Sequence, residues 1–367
     1  MAEAKPACYC APLRGGLEVR TAVLRLTLIP LGVSLLITFA PLFEPLQKKS
    51  PSKAKAMPSF SFSKVIPSGN PTIILHEPAL SPAELAALSS RLMQPLHIGG
   101  EQVGALYYTD ADERANLPRL RMMGGEFCVN ATRAAALLLA RQGRLADVHC
   151  SDAPVWGGSL LVSGMEQPVL ILVSRDGSAL TRAATLTDSN LAGPCSDPNP
   201  ERGPQEVLLH CAARVDCSAP ETLCRPLRPG ITLVHMPGMS HALIDADEQP
   251  LPDLEGNGWR RASADWRSEC GLSAAPASGV IWFQREGTAF RIWPALEVKA
   301  TLSEHLESAC GSASLALALW QWQHTQAGPI DVLQPSGETL RVFPAAEPGR
   351  AWISGPVLLA AEGVAHI

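Results

Sequence analysis

Cys128 and Cys310 are the side chains best placed for chemistry, because each opens a stretch of small and polar residues that runs into an apolar helix pattern. The stretches are GGEFCVNATRAAALLLARQG (124–143) and ESACGSASLALALWQWQH (307–324). The first turn of a helix leaves backbone N–H groups without acceptors and carries a partial positive charge. A thiol placed there is expected to have a lowered pKa, with thiolate accessible near neutral pH. The same N–H groups can hold a carboxylate. Two such helix ends facing one another would seat an amino acid's α-carboxylate between them, with one thiol on each face of Cα. One thiolate would remove the α-proton as general base while the opposite thiol delivers a proton to the other face. This is stereoinversion at carbon with no electron-sink cofactor, and the N–H donors would be those of Val129, Asn130 and Ala131 and of Gly311, Ser312 and Ala313.

A single free cysteine is usually a small buried apolar residue, and that reading is kept for Cys150, Cys195, Cys211, Cys217, Cys224 and Cys270. The matched setting of Cys128 and Cys310 argues differently. After each helix pattern comes a strand pattern (ADVHCS; IDVLQP), then a glycine-containing turn (Gly157-Gly158; Ser336-Gly337), then another strand pattern (LLVS; LRVF). The offset is 182 residues at the cysteines and 179 at the turns, so the chain reads as two copies of one α/β unit. Helices that are apolar on nearly every face belong inside their domains. Ahead of the first one, FSKVI, PSGNP and TIIL read as strand, turn and strand, with Asn70 on the turn. Residues 81–94 open with Ser81, Pro82 and Glu84, a capping-box start for a surface helix, and GGEQVGALYY reads as a glycine turn leading into a strand.

The sequence resembles the diaminopimelate epimerase-like superfamily, and within it the histidine racemases of staphylopine-type metallophore biosynthesis. The pieces that carry the resemblance are FSKVIPSGNPTIIL (62–75), GGEQVG (99–104), MMGGEFCVNATR (122–133), ESACGSAS (307–314) and QPSG (334–337). The resemblance implies an α/β (α+β) fold of two pseudo-symmetric domains, each a curved, mainly antiparallel sheet or barrel around a central helix, with the site between them. It implies no cofactor, catalytic roles for Cys128 and Cys310, and substrate contacts at Asn70, Asn130, Gly311 and Ser312, beside the backbone contact already read at Val129. MPGMSHALID (236–245) resembles the superfamily's Gly-Asn-Pro-His segment and carries over His241, with Ser240 where proline is usual. Val129 and Ala313 replace glycines of the family pattern and are expected to narrow the site. For an imidazole substrate, Glu101 and Glu307 are the candidate acceptor carboxylates. Diaminopimelate epimerisation, or another amino-acid epimerisation on this fold, stays open as an alternative, as does a membrane-tethered small-molecule binding protein.

A chain of 367 residues with 46% hydrophobic content can bury a substantial core. Residues 1–56 carry eight Lys/Arg against three Asp/Glu, which leaves 22 against 32 on the remainder; a nucleic-acid partner is not expected on so acidic a body. Ten cysteines spread thinly, without paired CxxC spacing, read as reduced thiols, and no metal site is expected. Leu26 to Phe43 is an uncharged run of eighteen residues broken by Pro30 and Pro41, at the lower edge of a membrane span. It reads either as a span or as part of an over-extended leader ahead of a true start at Met57. The expected organisation is a leader (1–56), an N-terminal half (57–185) to which the tail 352–367 returns, a connection or insertion (186–230) and a C-terminal half (231–351). The expected location is the cytoplasm, with an amino-acid substrate as partner, membrane association only if 26–43 is a real span, and a homodimer left open.

Overall fold

The computed structural model describes residues 59–76, 80–111, 117–150, 153–186, 191, 199–217, 224–236, 239–299 and 303–366, together with the backbone of 23–28 and 33–38. The chain divides into two compact units, Met1–Ala56 and Met57–Ile367. In the first, Val23–Leu28 pairs antiparallel with Val33–Thr38. Residues 26–28 and 33–38 of the apolar run are therefore strands, and the rest of that run lies outside the described residues. Among the described residues no helix is long and apolar enough to cross a membrane.

The second unit is a sheet-rich α/β fold built from one order of elements used twice. In the N-terminal half, Ser59–Pro67 and Thr72–Leu75 form an antiparallel hairpin, and Thr72–Leu75 then lies parallel to Gln102–Tyr107. Gln102–Tyr107 pairs antiparallel with Arg119–Met122; the buried helix Val129–Arg141 follows, and Arg119–Met122 lies parallel to Val155–Val162. In the C-terminal half, Ile231–Met236 and Met239–Asp245 form the hairpin, and Met239–Asp245 lies parallel to Ala277–Glu286. Ala277–Glu286 pairs antiparallel with Ala289–Val298, and after the helix Gly311–His324 that strand lies parallel to Ile330–Leu333. A parallel joint needs a crossover too long for a tight turn. The first crossover of each half carries a surface helix, Pro82–Leu92 in one and Gly258–Glu269 in the other. Pro82–Leu92 starts with the expected capping box between Ser81 and Glu84.

The long strand Arg350–His366 joins the halves. Along its length it pairs with Thr339–Pro344, Leu208–Asp216 and Ser59–Pro67. Through Val169–Ser174 and Val155–Val162, the strands of the N-terminal half close into a ring around the helix Val129–Arg141. Every residue of that helix from Val129 to Ala140 is buried, and the C-terminal helix is buried almost continuously from Gly311 to Leu319. Each fully buried leucine among them contributes roughly 1.5–3 kcal/mol. One hydrophobic cluster contains both helices.

Two sequence expectations change. Gly157 and Gly158 are not a turn but lie inside the strand Val155–Val162. A Cβ at 157 would stand 2.7 Å from the Leu191 carbonyl and one at 158 would stand 2.8 Å from the Leu145 side chain, so close approach rather than chain reversal explains the glycines. The stretch 186–230, read as connection or insertion, supplies Leu208–Asp216 to the N-terminal ring and Cys224–Arg228 to the C-terminal sheet. The buried positions of 208–216 mix Leu209 and Val215 with Cys211, Ala212, Ala213 and Arg214, without the period-two alternation of a half-buried strand.

Because Met57–Ile367 is compact by itself, a protein beginning at Met57 should unfold in a single cooperative transition whose midpoint matches that of the full chain within about 2 °C. Differential scanning calorimetry checks this; a loss of cooperativity on truncation would show that the first unit completes the core.

Candidate active site

Cys128 and Cys310 are the N-caps of the two buried helices, both in extended backbone. Each sulfur accepts the amide N–H of the residue three further on, Ala131 or Ala313, at 3.4 Å. The first turns abut: a Cβ on Gly311 would stand 2.8 Å from Cβ of Val129, so glycine at 311 is what makes room for the Val129 side chain opposite it. Across this contact the Nδ2 groups of Asn130 and Asn70 donate to the carbonyl of Ala309, at 2.8 and 3.3 Å. Glu101 reaches over the same seam. It accepts Asn70 Nδ2 at 2.6 Å, the Ser308 amide at 3.3 Å and the Ser308 hydroxyl.

The structure therefore brings together Asn70, Glu101, Cys128, Val129, Asn130, Glu307, Gly311 and Ser312. Ser312 Oγ lies 3.3 Å from Cys310 Sγ and 3.4 Å from Met239 Sδ. His241 stands apart. It is fully buried on the face of its strand that also carries Met239, with Gly279 leaving room for its ring, and both ring nitrogens lack a hydrogen-bond partner. Burial pushes its pKa down to about 3, so the ring is neutral, and no bond links it to either thiol.

Several site residues were not singled out from sequence. Gln102 accepts the Cys128 thiol at Oε1, 2.8 Å away, while its Nε2 donates to Asn70 Oδ1 and Thr72 Oγ1 at 2.6 and 2.8 Å. Gln334 accepts the Cys310 amide at 2.9 Å and donates to Ser314 Oγ at 3.1 Å. Both glutamines sit in recognised pieces, GGEQVG and QPSG, where their neighbours drew the attention. Glu126, two residues before Cys128, adds a third carboxyl whose Oε2 is buried without a partner.

The electrostatics overturn one expectation. Neither thiol is acidic: burial pushes Cys128 up to about 12 and Cys310 well above the ordinary thiol range. Helix-end amides pull the other way in both cases, but desolvation outweighs them and nearby carboxylates add to it, Glu307 and Glu126 at Cys128 and Glu307 at Cys310. The carboxyls are raised for the same reason. Burial lifts Glu101 and Glu126, and burial with Glu101 beside it takes Glu307 up to about 8. A site of this kind stores a demand for positive charge. Among the described residues no group of metal-ligating side chains answers it.

Residues 59–190 match the family model described as the histidine racemase CntK N-terminal domain. A histidine racemase of Fusobacterium nucleatum subsp. nucleatum is 24% identical over 307 residues, which covers 83% of this chain and 97% of that protein. One from Staphylococcus aureus is 38% identical over 98 residues, 25% of this chain and 35% of that protein. The chain is thus similar to histidine racemases, over its residues 59–190 and over nearly the whole length of the Fusobacterium protein. It is an isomerase of the racemase and epimerase kind. Among solved structures, a hydroxyproline epimerase from Agrobacterium vitis aligns with TM-score 0.48 at 13% identity over 84% of this chain and 93% of that one. A phenazine biosynthesis PhzF family protein from Enterococcus faecalis aligns with TM-score 0.49 at 13% identity over 84% of this chain and all of that one.

Two measurements check the electrostatics. Alkylation of Cys128 by iodoacetamide in the ligand-free protein, followed by mass spectrometry, should accelerate about tenfold per pH unit from about pH 7 to about pH 10 without a plateau. A plateau below about pH 8 would show an acidic thiol after all. Glu307→Gln tests the carboxyl. Below the ordinary glutamate value near 4.5 both folded and unfolded chains hold the proton and there is no penalty. Between 4.5 and about 8 the folded chain keeps a proton that the unfolded chain releases, so the wild type loses stability as pH rises through that window. The variant's melting temperature should therefore gain on wild type from pH 5 to pH 8 and hold its lead above about pH 8; a pH-independent difference would refute the raised pKa.

Proposed function

We propose that this protein interconverts L- and D-histidine by proton transfer at Cα between Cys128 and Cys310. The observation that carries this reading is that the two thiols cap helices whose first turns touch, each thiol held by the third amide of its own helix. In the forward direction one thiolate takes the α-proton: the Cα–H bond breaks and an S–H bond forms. The opposite thiol gives its proton to the other face of the planar carbanion and becomes the thiolate. The negative charge that spreads onto the substrate carboxylate meets the first-turn N–H groups, of which those at Val129, Asn130, Gly311 and Ser312 have no intrahelical acceptor. Resetting the enzyme requires that the thiol and thiolate exchange protonation states between turnovers.

Histidine suits the charge of the site. With Glu101, Glu126 and Glu307 around the thiols, a substrate bringing an ammonium and an imidazole offsets carboxylate charge and lowers the cost of making a thiolate there. Glu101 accepts across the seam and Glu307, protonated below about pH 8, donates to a neutral ring nitrogen. The names of the relatives point the same way. Use of D-histidine in an opine-type metallophore, and a cytoplasmic site of action, complete the proposal.

Purified protein incubated with L-histidine in deuterated water should yield D-histidine carrying α-deuterium, faster than the corresponding reaction of L-lysine, L-proline or LL-diaminopimelate. Cys128→Ala and Cys310→Ala should each lower turnover by at least about 10³-fold, because each face of Cα needs its own proton carrier. Glu101→Gln and Glu307→Gln should raise KM for histidine more than they lower kcat. Chiral chromatography of parallel reactions decides: substantial turnover by either alanine variant sinks the two-thiol mechanism, and preference for diaminopimelate sinks the histidine assignment alone.

A further inference from the structure

Arg133 is fully buried, and among the described residues its hydrogen bonds go to neutral acceptors. Its Nε donates to the Cys211 carbonyl at 3.1 Å, Nη1 to Asn130 Oδ1 at 3.4 Å, and Nη2 to Ser68 Oγ at 2.8 Å and the Pro356 carbonyl at 3.2 Å. Burial lowers its pKa to about 10, which still leaves it a cation at neutral pH. A buried charge held only by neutral acceptors is costly to keep, and a helix anchored in an apolar core gains little from it that Leu or Met would not supply. The fold makes space for it all the same: a Cβ on Gly355 would stand 2.9 Å from Nη2 and 2.6 Å from Ser68 Oγ.

What the guanidinium touches explains its place. Ser68 is the only non-glycine with positive φ among the described residues (φ 51), followed by Gly69 (φ 89) and then Asn70. The Ser68 hydroxyl accepts Arg133 and donates to the Pro356 carbonyl, while the Ser68 carbonyl accepts Ser336 Oγ at 2.8 Å from the other half. The left-handed turn that aims Asn70 is thus pinned at its first residue by Arg133. The same guanidinium takes Oδ1 of Asn130 and so turns the Asn130 NH₂ group toward the seam, where it meets Ala309 O beside Asn70.

We propose that Arg133 is a positioning residue that sets the two amide side chains, Asn70 and Asn130, through which the site grips the polar head of its substrate. It acts from behind both and touches neither thiol. The inference rests on the racemase reading above, and it deepens that reading by naming what holds the binding groups in register. Lysine cannot replace the fork, because one ammonium cannot serve the divergent acceptors that Nε, Nη1 and Nη2 reach.

Three variants of the full chain test it by steady-state histidine racemisation, each with a melting temperature. Arg133→Lys should raise KM about tenfold with kcat within about threefold. Ser68→Ala, which removes one acceptor of the clamp, should raise KM in the same direction, and Gly355→Ala, which displaces the guanidinium without altering it, should reproduce the effect. In an Asn70→Ala background the further rise on adding Arg133→Lys should shrink well below tenfold, since the lysine then has one fewer amide to misplace. If Arg133→Lys does not fold, Ser68→Ala and Gly355→Ala carry the test alone. Lower melting temperature with unchanged KM in the folded variants would show a merely structural arginine and overturn the proposal, as would full multiplicativity with Asn70→Ala. A wild type that racemises no amino acid would instead refute the function, a result distinct from an active wild type with indifferent variants.

Discussion

The contact of Val129 with the bare Cα of Gly311 is where two helices, each buried in its own half, bring their first turns together. The proposed chemistry depends on how close that approach is, because a capping thiol would reach a shared carbon only from the end of its own helix. The surrounding architecture serves this meeting. Parallel joints and crossovers give each half a curved sheet with its helix inside, and the single strand Arg350–His366 pairs with strands of both halves, so they share one hydrogen-bonded frame. The seam itself is polar rather than greasy, closed by Asn70, Asn130 and Glu101 onto Ser308 and Ala309.

Such a meeting is electrostatically expensive. Helix-end amides favour a thiolate, yet taking the sulfur out of water and setting carboxylates nearby disfavours it more, and in the ligand-free site the second effect wins. The balance shifts only when positive charge enters. On the proposed reaction, a cationic substrate would offset the carboxyls beside the thiols and so supply part of the driving force for its own deprotonation.

Much of this was legible in the sequence, for identifiable physical reasons. Cap residues and small-residue first turns announce themselves locally, so Cys128, Cys310 and the Ser81 capping box could be read without knowing the fold. The internal repeat was legible from the matched helices, although one of its supposed landmarks, Gly157-Gly158, proved to be a strand squeezed by Leu191 and Leu145. What sequence did not carry was long-range. The strand Leu208–Asp216 breaks period-two alternation with a run of buried residues that includes Arg214, Gln102 and Gln334 gain meaning only when the sulfur and amide they serve arrive from distant segments, and the direction of the thiol shifts depends on burial that no spacing encodes.

The two halves repeat an order of elements but not a chemistry. At Cys128 the sulfur hands its hydrogen to Gln102, whose other end is committed to Asn70 and Thr72. At Cys310 the neighbour of the sulfur is the Ser312 hydroxyl, a group able to donate as well as accept, and the glutamine of that side, Gln334, is spent on the backbone amide instead. A fixed acceptor stabilises the protonated thiol, whereas a hydroxyl can turn to donate to a thiolate. The two thiols therefore meet different hydrogen-bonding neighbours, although burial and the nearby Glu307 raise Cys310 as well as Cys128. On the proposed two-thiol reaction, such an unequal pair would give the two directions of proton transfer different hydrogen-bonding support, a fixed acceptor on one side and a hydroxyl on the other.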